Sequence, residues 1–98
     1  MLESENFLTN PKLFEEKAEL LKALSHPVRL CIIKGLLELG ESNVTNMYSC
    51  LNMPQSTISQ HLAKLKSSGI IVGERNGLEI TYKVCNDDVK KIINILFP

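Results

Sequence analysis

Apolar residues recur along this chain with a helical period as far as Gly69 and with a strand period after it. Asn10-Pro11 opens the first stretch: Asn caps free backbone N–H groups, and Pro is pre-set for the first helical position. A helix is predicted from Pro11 to about Leu24, with Leu13, Phe14, Ala18, Leu21 and Leu24 facing inward. Ser25-His26-Pro27 interrupts it and restarts a second helix, Pro27 to about Leu39, closed by Gly40. This helix is apolar on two stripes, Val28/Ile32/Leu36/Leu39 and Leu30/Ile33/Leu37, and so belongs at the centre of the core.

Asn43 reads as the cap of a short third helix with Val44, Met47, Tyr48 and Leu51 on one face. Asn52-Met53-Pro54 turns the chain into a fourth, in which Ile58, Leu62 and Leu65 face in and which Gly69 ends. Two helices joined by so tight a turn form a helix-turn-helix. Beyond Gly69, Ile70-Ile71-Val72 and Leu78 to Val84 are extended runs separated by Asn76-Gly77, a hairpin signal of the type I′ kind. A two-stranded wing over residues 70–84 is expected. Asn86-Asp87 caps a last helix with Val89, Ile92, Ile93, Leu96 and Phe97 on one stripe. Residues 1–9 read as a tail and 10–98 as one domain, which is all that 98 residues accommodate.

The face of the fourth helix away from the core suggests its chemistry. Gln55, Ser56, Thr57, Ser59, Gln60 and His61 crowd its N-terminal half, followed by Lys64. Neutral donors and acceptors suit a helix that reads base edges in a major groove: Gln matches adenine bidentately, and Ser meets base or phosphate. Arg75 and Asn76 then lie at the tip of the wing, where a cation reaches an adjacent minor groove.

Charge changes the picture only through its distribution. Eleven basic residues cancel eleven acidic ones. The first 24 residues are net acidic, whereas Lys64, Lys66, Arg75 and Lys83 outnumber Glu74 and Glu79 over residues 54–85. No paired catalytic constellation, glycine-rich phosphate loop or cofactor motif occurs, so neither an enzyme nor a bound cofactor is expected. No apolar run reaches the roughly 18 residues of a membrane span. The polar start MLESENFLTN lacks the basic and apolar regions of a signal peptide. Three scattered cysteines, Cys31, Cys50 and Cys85, make no disulfide framework and point to the cytoplasm.

HPVRL at 26–30, PQSTISQHLAKLKSSGIIVGE at 54–74 and RNGLEITYKV at 75–84 resemble the ArsR/SmtB family of bacterial winged-helix repressors, and among them members of the PagR kind. The resemblance spans roughly residues 12–97. It implies a mainly α winged helix-turn-helix with five helices and a small hairpin between the last two. It also implies a homodimer whose two reading helices enter successive major grooves of an inverted-repeat DNA operator. The family's DNA-reading positions fall on Gln55, Ser56, Ser59 and Gln60, with His61 and Lys64 as neighbours and Arg75 as the wing contact. Its use of terminal helices to dimerise assigns Leu13 and Phe14, with Val89, Ile92, Ile93, Leu96 and Phe97, to the dimer seam.

The family's usual metal sites are missing from the sequence. The third-helix stretch Glu41-Ser42-Asn43-Val44-Thr45-Asn46-Met47 has no cysteine, and the last helix has Asp87 and Asp88 but no histidine. Two carboxylates alone make a poor zinc site, so no metal is expected and the inducer stays unnamed. His26 reads as a cap. Cys31, Cys50 and Cys85 sit off the core stripes, and Cys31 has Lys34 three residues on, a cation that favours a thiolate. A thiol-based redox response is the alternative to a repressor without a sensor, and a winged helix that binds protein is the alternative of another class.

Overall fold

The computed structural model describes residues 5–43 and 51–98. Its elements are α1 (Pro11–Leu24), α2 (Pro27–Leu39), β1 (Ser42–Asn43), α3 (Gln55–Ser67), β2 (Ile71–Asn76), β3 (Glu79–Val84) and α4 (Asp87–Leu96). The expected third helix lies mostly on residues 44–50, outside the described residues, as does Cys50.

Local chemistry sets each helix boundary. Asn10 Oδ1 accepts from Leu13 N–H at 3.2 Å, His26 Nδ1 from Val28 N–H at 3.1 Å and Asn86 Oδ1 from Val89 N–H at 3.1 Å. These side chains satisfy donors that a first helical turn leaves open. His26 is therefore the cap the sequence suggested. Residues 5–9, read as a tail, fold back on the start of α1: Asn6 Oδ1 accepts from Leu8 and Thr9 N–H, and Phe7 meets Phe14 edge-on at 6.4 Å.

The exit from α3 is a Schellman motif. Gly69, at φ +76°, donates to Lys66 O at 3.1 Å, and Ile70 N–H donates to Leu65 O at 3.0 Å. The accompanying apolar contact joins Leu65 and Ile70, both fully buried. This turn carries the chain from α3 into the wing, and Cys85 N–H bonds Ile70 O at 2.9 Å where the wing returns.

The core gathers Ile32, Ile33 and Leu36 from α2, Ile58, Leu62 and Leu65 from α3, Ile70, Ile71 and Val84 from the wing's base, and Val89 and Ile93 from α4. α2 lies at its centre, as its double stripe predicts, except that Leu39 finds no cover in the protomer and is 68% exposed. The inward face expected for α1 is not realised. Only its last turn, Ala23 and Leu24, is buried, while Phe14, Ala18 and Leu21 are exposed and Leu13 is half-buried, because α1 meets the body of the protomer mainly through its C-terminal end.

Two further expectations are corrected in the sheet. It has three antiparallel strands in the order β1-β3-β2, with Ser42 opposite Tyr82 and Asn43 opposite Thr81. Two residues are too few for a period of two to show in sequence, so β1 was read as the approach to a helix. The hairpin turn sits one residue later than Asn-Gly suggested. Asn76 pairs with Glu79, which leaves Gly77-Leu78 as the loop, and only Gly77 has positive φ, at +67°. Glycine at the first central position with an ordinary second residue is the type II′ pattern, not I′.

Gly73 lies opposite Tyr82, and a Cβ there would approach the Tyr82 ring to 2.9 Å and Ile80 Cγ2 to 3.0 Å. Gly73→Ala is expected to lower stability by about 1–3 kcal/mol through overpacking, measured as a drop in the urea midpoint. An unchanged midpoint would mean that the ring swings aside freely.

Candidate nucleic-acid interface

The burial of Ile58, Leu62 and Leu65 on one side of α3 leaves Gln55, Ser56, Ser59 and Gln60 exposed on the other. Thr57 is half-buried and Lys64 exposed. The helix has no side-chain cap: Pro54 O receives Thr57 and Ile58 N–H at 3.1 and 3.2 Å, and the N–H groups of Gln55 and Ser56 have no partner among the described residues. Two free donors at the positive end of a helix dipole form an anion-binding geometry.

The wing tip presents Arg75, Asn76, Gly77 and Leu78, all exposed. Among the described residues the ion pairs join Lys17 to Asp88, Lys22 to Glu19, Lys34 to Glu38 and Lys90 to Asp87. None of them includes Lys64, Lys66, Arg75 or Lys83. The cations of α3 and the wing thus have no carboxylate partner among the described residues, as is also true of Lys12, Arg29 and Lys91, while Lys17, Lys22, Lys34 and Lys90 are neutralised locally.

His61 is the expected contact that the structure places differently. It is half-buried, and its Nδ1 accepts from Arg29 Nε–H at 3.2 Å. Arg29 Nη1 donates to Ala23 O at 3.0 Å, and the His26 and His61 rings lie 4.4 Å apart at 51°. His61 therefore faces the corner between α1 and α2, away from the exposed row of Gln and Ser. Burial first, then the charges of His26 and Arg29, hold its imidazole below the ordinary 6.5. Arg29 was not singled out in the sequence. The signal was HPVRL, which places a cation two residues after a capping His-Pro, but its partner is 32 residues away.

The residues assigned to a dimer seam divide into two groups. Val89 and Ile93 are enclosed in the protomer's own core, at 0% and 2% exposure, because α4 packs that face on α2; they are corrected from seam to core. Leu13 and Ile92 are half-buried, whereas Phe14, Leu96 and Phe97 are exposed, joined by Leu21 and Ile95.

Cys31 and Cys85 are free and exposed, and Cys85 Sγ lies 3.7 Å from Gly69 O. Lys34, read as the cation beside Cys31, instead pairs with Glu38 at 2.7 Å and lies over the Phe97 ring. Among the described residues no three potential metal ligands gather, and no helix is long and apolar enough to cross a membrane.

Comparison with known proteins places this geometry in a family. The family described as bacterial regulatory protein, arsR family, matches residues 26–72. The transcriptional repressor PagR of Bacillus anthracis is 44% identical over 84 residues, covering 86% of this chain and 84% of PagR. The PagR crystal structure superposes with a TM-score of 0.79, covering 86% of this chain and 95% of that one. The repressor BigR from Xylella fastidiosa gives 0.81 at 35% identity, covering 95% and 94%. A homodimeric winged helix-turn-helix DNA-binding domain from Mycobacterium bovis gives 0.81 at 27% identity, covering 98% and 86%. With α3 and the wing in the arrangement these proteins share, the chain belongs to the arsR family of bacterial regulatory proteins, and it is a winged helix-turn-helix transcriptional repressor, not an enzyme.

Proposed function

We propose that this chain acts in the cytoplasm as a homodimer that binds an inverted-repeat operator in duplex DNA. The observation that carries this reading is the row Gln55, Ser56, Ser59 and Gln60, exposed on a helix whose first two N–H groups have no partner among the described residues, beside a wing whose Arg75 forms no ion pair among them. Gln60 and Gln55 read base edges in the major groove. Ser56 and Ser59 contact base or phosphate, the Gln55 and Ser56 N–H groups receive a phosphate, and Arg75 with Asn76 enters the neighbouring minor groove. Lys64 supplies backbone attraction. A zero net charge does not oppose this, since counterion release follows the phosphates contacted and not the total charge.

Self-association is supported by what the protomer leaves uncovered. Phe14, Leu21, Ile95, Leu96 and Phe97 are exposed on the first and last helices. The Cα radius of gyration is 15.2 Å, against about 13 Å for a compact chain of this length. A second copy covering α1 and α4 buries these side chains, and the Mycobacterium bovis relative is itself a homodimer. Two reading helices then address half-sites about one helical turn of DNA apart, roughly 34–36 Å.

Selection of duplexes from a random-sequence pool, followed by fluorescence anisotropy at several salt concentrations, tests the reading. A palindromic consensus bound with a steep salt dependence is expected; a pool that yields no enriched sequence sinks it. Gln60→Ala should weaken binding to the selected operator by about 1–3 kcal/mol and leave the oligomeric state unchanged. Unaltered affinity would remove Gln60 from the reading set. Leu96→Glu, exposed in the protomer, should keep the fold and sediment as a monomer. Ile93→Glu is expected to unfold the protomer itself, because it puts a charge inside the core.

A further inference from the structure

We propose that His61 is a positioning residue for DNA reading: its neutral ring, by accepting the Arg29 hydrogen bond, sets α3 against α2, and its protonation releases α3 and weakens operator binding. The proposal rests on the reading of α3 as the DNA-reading helix. It differs from a direct contact, which is where the sequence motif had placed His61.

The geometry is that of a three-way tie. Arg29, in the first turn of α2, donates from Nη1 to Ala23 O at the end of α1 and from Nε to His61 Nδ1 on α3. An acceptor at Nδ1 means that the neutral ring carries its proton on Nε2. The other face of the cluster is the His26 ring, which caps α2 and lies against His61. Among the described residues the groups against His61 are thus Arg29 and His26, from α2 and its cap, and Arg29 in turn bonds the Ala23 carbonyl at the end of α1. On α3 itself Lys64 follows one turn on and is exposed. No ion pair among the described residues brings a carboxylate to Arg29, His26 or His61.

A proton on Nδ1 therefore converts a donor–acceptor pair into two facing donors, both cationic, with no carboxylate ion-paired to them among the described residues. Separation of α3 from α2 relieves this contact. Gln60 adjoins His61 in the chain, and base-edge hydrogen bonds weaken steeply when distance and angle are lost. The sign of the pH dependence distinguishes positioning from contact. If His61 touched a DNA phosphate, acid would strengthen binding; if it positions α3, acid weakens it. Stability follows the same direction. The folded chain holds this imidazole below its ordinary value, so the unfolded chain binds the proton more readily, and stability falls as pH drops below about 6.5.

The test measures anisotropy with the selected operator and with an unrelated duplex of equal length, from pH 8 to 5.5 at constant ionic strength, with circular dichroism confirming the fold. For the wild type, operator affinity is expected to fall by about tenfold across this range, the worth of one hydrogen bond to a charged group, while affinity for the unrelated duplex does not fall. His61→Asn places a non-titrating amide oxygen near the Nδ1 position; it should bind the operator at pH 7.5 and show a flattened profile. His26→Asn keeps the helix cap but removes a neighbouring charge that lowers the His61 imidazole, so the acid fall should persist and begin at a higher pH. A wild-type affinity that stays flat or rises in acid overturns the proposal, as does a His61→Asn profile that follows the wild type. Ring nitrogen shifts of the wild type give a check that needs no variant: an Nδ1-protonated neutral ring at pH 7.5 also overturns it. A wild type that binds no duplex at any pH overturns the reading of α3, and this proposal with it.

Discussion

The burial of one side of α3 is the constraint on which the rest depends. Ile58, Leu62 and Leu65 fall on a single face at helical spacing, and each is almost wholly removed from water against α2 and the base of the wing. Burial of apolar surface is the largest favourable contribution available to a chain of this size. Rotation of α3 to any other angle would expose those three side chains and bury glutamines without partners. The polar row on the opposite side is therefore displayed by packing and requires no separate device. The turn at Gly69 extends the same arrangement, because the Leu65–Ile70 contact that closes the helix also seats the first residue of the wing in the core. α3 and the wing are held in one unit with a common apolar root.

The protomer completes this unit and leaves other surface unfinished. α4 presents Val89 and Ile93 to its own core, yet its last turn offers Ile95, Leu96 and Phe97 to solvent. α1 is anchored by its last turn and exposes Phe14 and Leu21. Isolated apolar side chains on a surface are ordinary; their concentration on the first and last helices of an elongated protomer is what a second copy would cover. The single apolar stripe read in the sequence divides within α4: Val89 and Ile93 hold the protomer together, and Leu96 and Phe97 remain exposed.

The corner between α1 and α2 connects these two regions. Arg29 reaches the end of α1, while His61 on α3 accepts from Arg29. The end of α1 and α3 are thus joined through two hydrogen bonds on the one Arg29 side chain. Lys34, which the sequence placed beside Cys31 as an activating charge, is occupied by Glu38, so the cationic group with structural consequences in α2 is Arg29.

Much of this was legible in the sequence because it depends on local rules. Asn10-Pro11, His26-Pro27, Gly40, Gly69 and Asn86 cap or terminate helices through interactions within a few residues, and the boundaries they predict are the observed ones. The periodicity of Ile58, Leu62 and Leu65 fixed which face of α3 is polar, and with it the exposure of Gln55, Ser56, Ser59 and Gln60. What tertiary structure decided is whatever depends on partners distant in the chain. A two-residue strand exists only because β3 runs beside it, and the II′ turn at Gly77-Leu78 follows from the register of Arg75 with Ile80 and Asn76 with Glu79. An apolar stripe says that a face avoids water, but not which neighbour covers it, so Val89 and Ile93 went to the core while Leu96 stayed outside. The direction of His61 was decided by Arg29, 32 residues earlier, and no period in the sequence encodes a contact between two different helices.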